Sequence, residues 1–178
     1  MLEIAVWRVE ALALPTPLEH CARCAQPRSF VCSERFRVNA NGGRLDVWLL
    51  YRCPACEGVR KLRVLRRARV AEIARAELDG YQADAPRLVR RWAFANGTSA
   101  PLPYRVIRPP LPECGALSAR IVQPEPCGVR WDRFLARELG WSRGRVARAF
   151  REGALSLHPG ASLARAVSDG DELLVVRA

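Results

Sequence analysis

Two cysteine pairs constrain this chain more than anything else in it. Cys21-Ala-Arg-Cys24 and Cys53-Pro-Ala-Cys56 stand about thirty residues apart. Each pair fits a tight turn that points both sulfurs the same way. Four thiolates brought together make a tetrahedral, soft donor set that suits zinc and leaves no position open for water, so the role predicted for Zn2+ is structural. The intervening segment has only to leave one turn and return to the other, which a β-hairpin does. Phe36 and Val38 alternate with polar neighbours, Asn41-Gly42 offers the turn, and Leu45, Val47, Leu49 and Tyr51 alternate on the way back. The spacing and the alternation together predict a zinc ribbon. A redox dithiol switch that ejects the metal on oxidation is the competing reading, and iron is the competing ion. Cys32, Cys114 and Cys127 have no paired companion and are expected as bystander thiols, although Cys32 is near enough to stand in as a ligand. His20 is expected on the surface or hydrogen-bonded to the site.

The totals set the class. A chain of 178 residues with 49% hydrophobic residues buries a core. Its formal charge of +11 and pI near 10.3 point to polyanions. Lys61 is the single lysine. A GC-rich bacterial coding bias accounts for arginine replacing lysine, but not for cations exceeding acids. The first ten residues lack the pattern of a signal peptide, and no apolar run reaches membrane-spanning length. Paired cysteines in such a chain fit a reducing compartment. The expectation is a cytoplasmic protein with no membrane partner.

Ile4 to Glu10 alternate weakly and predict a first strand. Val59 to Leu65 predict a strand beyond the second cysteine pair. From Ala68 the period becomes helical through Val70, Ile73, Ala74 and Leu78 to Gly80, and a second helix is expected from Pro86, capped by Asp84 and stopped near Asn96-Gly97. Thr98 to Pro112 hold five prolines and one strand-like island, Tyr104–Ile107; Ala119 to Val122 are another candidate strand. Trp131, Phe134, Leu135 and Leu139 then line a helix ending at Gly140. Ser142 caps the next helix, which carries Val146 and Phe150 and stops at Gly153. Leu155 and Leu157 precede a turn at Pro159-Gly160, and Leu173 to Val176 close the chain as a strand. The predicted class is α+β in three parts. These are a zinc-ribbon domain with two short helices (1–97), a Pro-rich connection (98–127) and a small helix, helix, hairpin and strand domain (128–178).

That last order, carried by Arg130-Trp-Asp-Arg-Phe-Leu135, Trp141-Ser-Arg143, Glu152-Gly-Ala-Leu-Ser-Leu157 and Gly170-Asp-Glu-Leu-Leu174, resembles the S4-like RNA-binding domain. The resemblance spans about Val129 to Arg177 and implies RNA contact. His158-Pro159-Gly160 replaces the family's usual Asn-Gly, and Trp131 stands where an aliphatic residue is usual. Phe36-Arg-Val-Asn-Ala-Asn41 through Leu45-Asp-Val-Trp-Leu-Leu-Tyr-Arg-Cys53 resembles an uncharacterised bacterial family, domain of unknown function 1062. That resemblance supports the ribbon and implies no activity.

Arg133 and Arg137 are one turn apart on the first of these helices, opposite Trp131 and Leu135. Arg145, Arg148 and Arg151 follow on the second, with Arg143 beside its cap. These six are the candidate RNA-binding residues, because arginine forks bind phosphate oxygens and their planes stack on unpaired bases. An ordinary solvated face, offset by Asp132, Glu138 and Glu152, is the alternative. A second basic run, Arg60-Lys61, Arg63, Arg66, Arg67 and Arg69, either extends a nucleic-acid track or protects a strand edge. Trp48 and Tyr51 read as core residues or as stacking platforms for bases, with core packing the better fit to their alternation. Only His20 and His158 offer imidazoles, and no Gly-rich phosphate loop, HExxH motif or nucleophile with a companion is present, so no enzyme is expected. The function read from the sequence is zinc-stabilised, non-catalytic binding of structured RNA, ribosomal or transfer RNA. A DNA-binding or protein-interaction module in transcription is the alternative, and an enzyme with a cryptic interdomain site a more remote one.

Overall fold

The computed structural model describes residues 4–95, 100–158 and 160–177. The expected helix stop at Asn96-Gly97, the expected domain border at 97/98 and Pro159 of the expected turn lie outside them. Among the described residues the fold is α+β, with four α-helices and three sheets. No described helix is long and apolar enough to cross a membrane. The chain divides into two compact units. One combines Met1–Ala13 with Pro101–Ala178, and the other is the intervening segment Leu14–Ala100.

The split unit is built on a five-stranded sheet of order β7-β1-β8-β10-β9. Its strands are β1 (Ile4–Ala11), β7 (Tyr104–Ile107), β8 (Gly115–Val122), β9 (Leu155–His158) and β10 (Glu172–Arg177). β1 runs parallel to β8, with Ala5 opposite Ala119, and antiparallel to β7, with Ala11 opposite Tyr104. This corrects the expected division. The stretch 98–127 is no spacer, since it supplies β7 and the central strand β8, and 128–178 shares its sheet with β1 instead of standing alone. Proline is compatible with this because β7 lies at a sheet edge, where a missing N–H costs no ladder bond. Helices α3 (Trp131–Leu139) and α4 (Arg143–Arg151) belong to the same unit. α3 ends at Gly140, whose φ of 67° is the left-handed conformation glycine adopts without a Cβ clash. The hydroxyl of Ser142 accepts the N–H of Arg145 as the predicted cap of α4.

The inserted unit starts with the short hairpin β2 (Leu18–Cys21) and β3 (Gln26–Ser29). It continues with a three-stranded antiparallel sheet of β4 (Val31–Asn41), β5 (Arg44–Arg52) and β6 (Val59–Arg69). Asn41 pairs with Arg44 around Gly42 and Gly43, with φ of 56° and 72°. The left-handed pair of the tight hairpin is therefore Gly42-Gly43, one residue later than Asn41-Gly42. Leu45, Val47, Leu49 and Tyr51 face inward as predicted. They meet Tyr81 of α1 (Arg75–Gln82) and Leu88, Val89 and Ala93 of α2 (Pro86–Ala95) in one core.

Two local expectations fail here. The helix predicted from Ala68 begins only at Arg75, because β6 continues to Arg69, opposite Arg44, and a 3₁₀ turn at Val70–Glu72 follows. Arg67 holds that extension in place. Its backbone is left-handed (φ 46°), and its N–H donates to the Asp46 carboxylate at 3.0 Å. Asp84, expected as a cap, accepts the backbone N–H of Phe36 at 2.6 Å, joining the helical segment to β4.

Candidate metal centre and basic surfaces

Cys21 is the last residue of β2, and Cys24 lies in the turn to β3. Cys53 follows β5, and Cys56 lies in the turn to β6. The two turns share one geometry. The residue after each second cysteine, Ala25 and Glu57, is left-handed with φ of 53° and 58°. In the second turn, the N–H of Cys53 donates to the Gly58 carbonyl and the N–H of Glu57 to the Cys53 carbonyl, both at 2.9 Å. Gly58 has a packing role too, because a Cβ there would lie 3.2 Å from the Cys56 sulfur.

The four sulfurs lie within 4.8 Å of one another. Cys21 and Cys56 sulfurs are 3.5 Å apart, and those of Cys24 and Cys53 3.8 Å apart. Zinc–sulfur bonds of about 2.3 Å in a tetrahedron put their sulfurs about 3.8 Å apart, so the cluster has the size of a zinc site. These separations are far beyond the roughly 2.05 Å of a disulfide. Cys21 and Cys53 are buried, and Cys24 and Cys56 half-buried. The backbone N–H of Cys24, with help from Cys56, lowers the Cys21 thiol to about 7. At Cys56 the Gly58 N–H also favours the thiolate, but burial and the three neighbouring sulfurs outweigh it and raise the thiol to about 12. Crowded thiols cannot all ionise unless a cation joins them, and a bound divalent metal supplies that charge. The donor set therefore fits a metal ion held by Cys21, Cys24, Cys53 and Cys56.

Cys32 is not part of this group. It stands opposite Tyr51 across β4 and β5, its sulfur accepts the N–H of Glu34 at 3.4 Å, and burial raises its pKa. Cys114 is exposed and Cys127 buried. His20 is exposed on β2.

The six arginines on α3 and α4 do not act alike. Arg137 donates to the Tyr104 carbonyl at 3.1 Å, pairs with Glu138 and sits 4.3 Å from the Tyr104 ring. Arg143 is bound to Asp132 at 2.6 Å, and Arg145 lies 4.5 Å over the Trp141 ring. Arg133, Arg148 and Arg151 are exposed, and their side chains make no hydrogen bond or ion pair among the described residues. Asp132 went unrecognised as an organiser in the sequence. It is buried, gathers Arg130 and Arg143, and accepts the N–H of Arg133. Burial would raise its pKa, but the Arg143 hydrogen bonds and the Arg130 charge outweigh burial and lower it. Its only sequence cue is an acid amid arginines at a helix start.

The second basic run is also divided. Arg60 pairs with Glu19 and Arg69 with Glu72, while Arg63 and Arg66 are exposed without such partners among the described residues.

A family model described as "Protein of unknown function (DUF1062)" matches residues 38–160, taking in Cys53, Cys56 and all six of these arginines. No curated protein and no solved structure matches the chain.

Proposed function

The chain belongs to the DUF1062 family of proteins of unknown function, which brings no activity with it, and from its own residues we propose a non-catalytic RNA-binding protein stabilised by zinc. The ligand is structured RNA, of the ribosomal or transfer type, met in the cytoplasm by the exposed face of α3 and α4. The order α3, α4, β9, β10 supports an S4-like reading of this region. One observation carries the proposal: Arg133, Arg148 and Arg151 are exposed without an internal anion. Arg148 and Arg151 are three residues apart on α4, away from its buried Val146 and Ala149. Guanidinium groups left unneutralised in this way are free to bind phosphate oxygens bidentately, and each such contact releases condensed counterions. Arg137, Arg143 and Arg145 have a different role, holding the helices and their aromatic neighbours in place.

Zinc is the ion we assign to the four cysteines, and it would cross-link the turn after β2 to the turn after β5. With its sphere closed by sulfur it would contribute shape and no chemistry. One set of alanine variants tests the RNA reading. Metal-loaded protein is titrated with an RNA hairpin and with duplex DNA across a salt series. Replacing Arg133, Arg148 and Arg151 should weaken hairpin binding and make the log–log salt slope shallower by about one unit per lost phosphate contact. Equal and weak binding to both polymers, unchanged by these substitutions, would overturn the proposal.

A further inference from the structure

The alternation of β5 separates its two prominent aromatics. Tyr51 belongs to the inward set and is 2% exposed. Trp48 belongs to the opposite face with Asp46 and Leu50, and is half-buried outside the core. The strand register then decides its neighbours. Arg37 of β4 stands directly opposite Trp48 on one side, and Arg63 of β6 on the other. Lys61, opposite Leu50, places its ammonium 6.0 Å from the centre of the Trp48 ring. Arg37 and Arg63 are exposed, and neither side chain has an ion pair or hydrogen bond among the described residues. The acid on this face is Asp46, whose carboxylate accepts the Arg67 N–H.

An aromatic ring with Leu50 beside it thus lies among three cations from two flanking strands, with no carboxylate between them. Long cationic side chains do shade exposed apolar surface. Shading alone would favour a mixed pair across the sheet, since like charges on neighbouring strands repel and opposite ones attract. A polyanion whose monomers carry a flat, stackable face satisfies both the ring and the cations. A base inside a duplex has its faces occupied, so the strand must be unpaired there. We infer that this face of β4, β5 and β6 binds single-stranded RNA, with one base stacked on Trp48 and adjoining phosphates on Arg37 and Arg63. The choice of RNA over DNA rests on the proposed function, while the surface is independent of the α3 and α4 arginines.

The test uses the full chain, metal-loaded, with fluorescein-labelled U10 RNA followed by anisotropy and the RNA hairpin as a second probe. Trp48→Ala should weaken U10 binding about 5- to 100-fold, as loss of one base–aromatic stack does. Trp48→Phe, which keeps a ring, should stay within a few-fold of the parent. The Arg37→Ala/Arg63→Ala pair should flatten the U10 salt slope by about 0.7 per lost phosphate contact. To guard against a variant that misfolds, 4-thiouridine in U10 is photocrosslinked to the unmodified protein, with the adduct expected in the peptide containing Trp48. Adducts confined to other peptides, or U10 affinity unchanged in Trp48→Ala, would overturn the inference, as would tighter binding of dT10 than of U10. If the hairpin still bound through Arg133, Arg148 and Arg151, the proposed function would stand without this platform. Loss of hairpin binding with U10 binding intact would strike the helical face alone.

Discussion

In the split unit, Phe134 is ringed by Trp7, Tyr104 and Trp131, with ring centres 5.5–6.0 Å from its own. All four are buried. The inserted unit has a core of its own around Leu49, Tyr51, Tyr81 and Leu88, but the turns at its cysteine end are gathered by sulfur. The cations differ as well. Those of the split unit, Arg133, Arg148 and Arg151 apart, are largely engaged with internal acids, as with Arg143 on Asp132, Arg165 on Asp171 and Arg120 on Glu172. On the outer sheet face of the inserted unit, Arg37 and Arg63 are left without one. One unit thus rests on apolar burial and charge pairing, and the other adds to its core a cluster of four thiols that fits a metal ion. The lesson is that response to metal should be regional.

The largest effect should come from chelation. Removing the metal at neutral pH should destabilise the inserted unit by on the order of 5 kcal/mol, lowering its melting midpoint by roughly 20–40 °C while the split unit's transition stays in place. Calorimetry with and without chelator checks this, and a common shift of both transitions would break the contrast. A smaller effect, confined to the split unit, is expected from Asp132→Asn, which leaves Arg143 without its carboxylate and should cost about 1–3 kcal/mol at neutral pH. Asp132 also gives the comparison a pH axis. Its folded pKa lies below the ordinary 3.8, so its stabilisation is complete above the unfolded value and is lost as the pH falls through the folded one. In acid titrations the substituted protein should lack that increment. The smallest expected effect is a gain. Glu57→Gly removes a Cβ from a left-handed residue and should stabilise the inserted unit by up to about 1 kcal/mol, read as a higher denaturation midpoint of the metal-loaded protein. A loss there would mean that the Arg52–Glu57 pair outweighs the strain.

Sequence reading served well wherever the signal was local. The cysteine spacing, the inward set Leu45 to Tyr51, the Ser142 cap and the stop at Gly140 are each written in a few adjacent residues. What could not be read locally was pairing between distant segments. Nothing within Ile4 to Ala11 says that its partners are Tyr104 to Ile107 and Gly115 to Val122, so the division of the chain came out differently. The same holds for charge. Six arginines look equivalent in a string, and only the fold reveals that Asp132, Glu138 and two aromatic rings engage half of them. With Trp48 and Tyr51 the clue was present and passed over, because residues three apart on a strand point to opposite faces.

The seating of β1 between β7 and β8 has a consequence for how the protein is made. β1 leaves the ribosome ahead of the strands that flank it, which follow roughly ninety or more residues later, at about 5–20 residues per second a delay on the order of 5–20 s. During that interval Val6 and Val9 have no sheet to join, while Leu14–Ala100, which has a core of its own, is synthesised and is complete before β7 and β8. The segment between can therefore acquire metal and close before the first strand finds its neighbours. Nascent chains arrested after Ala100 should already protect their cysteines from alkylation, yet leave Trp7 open to solvent.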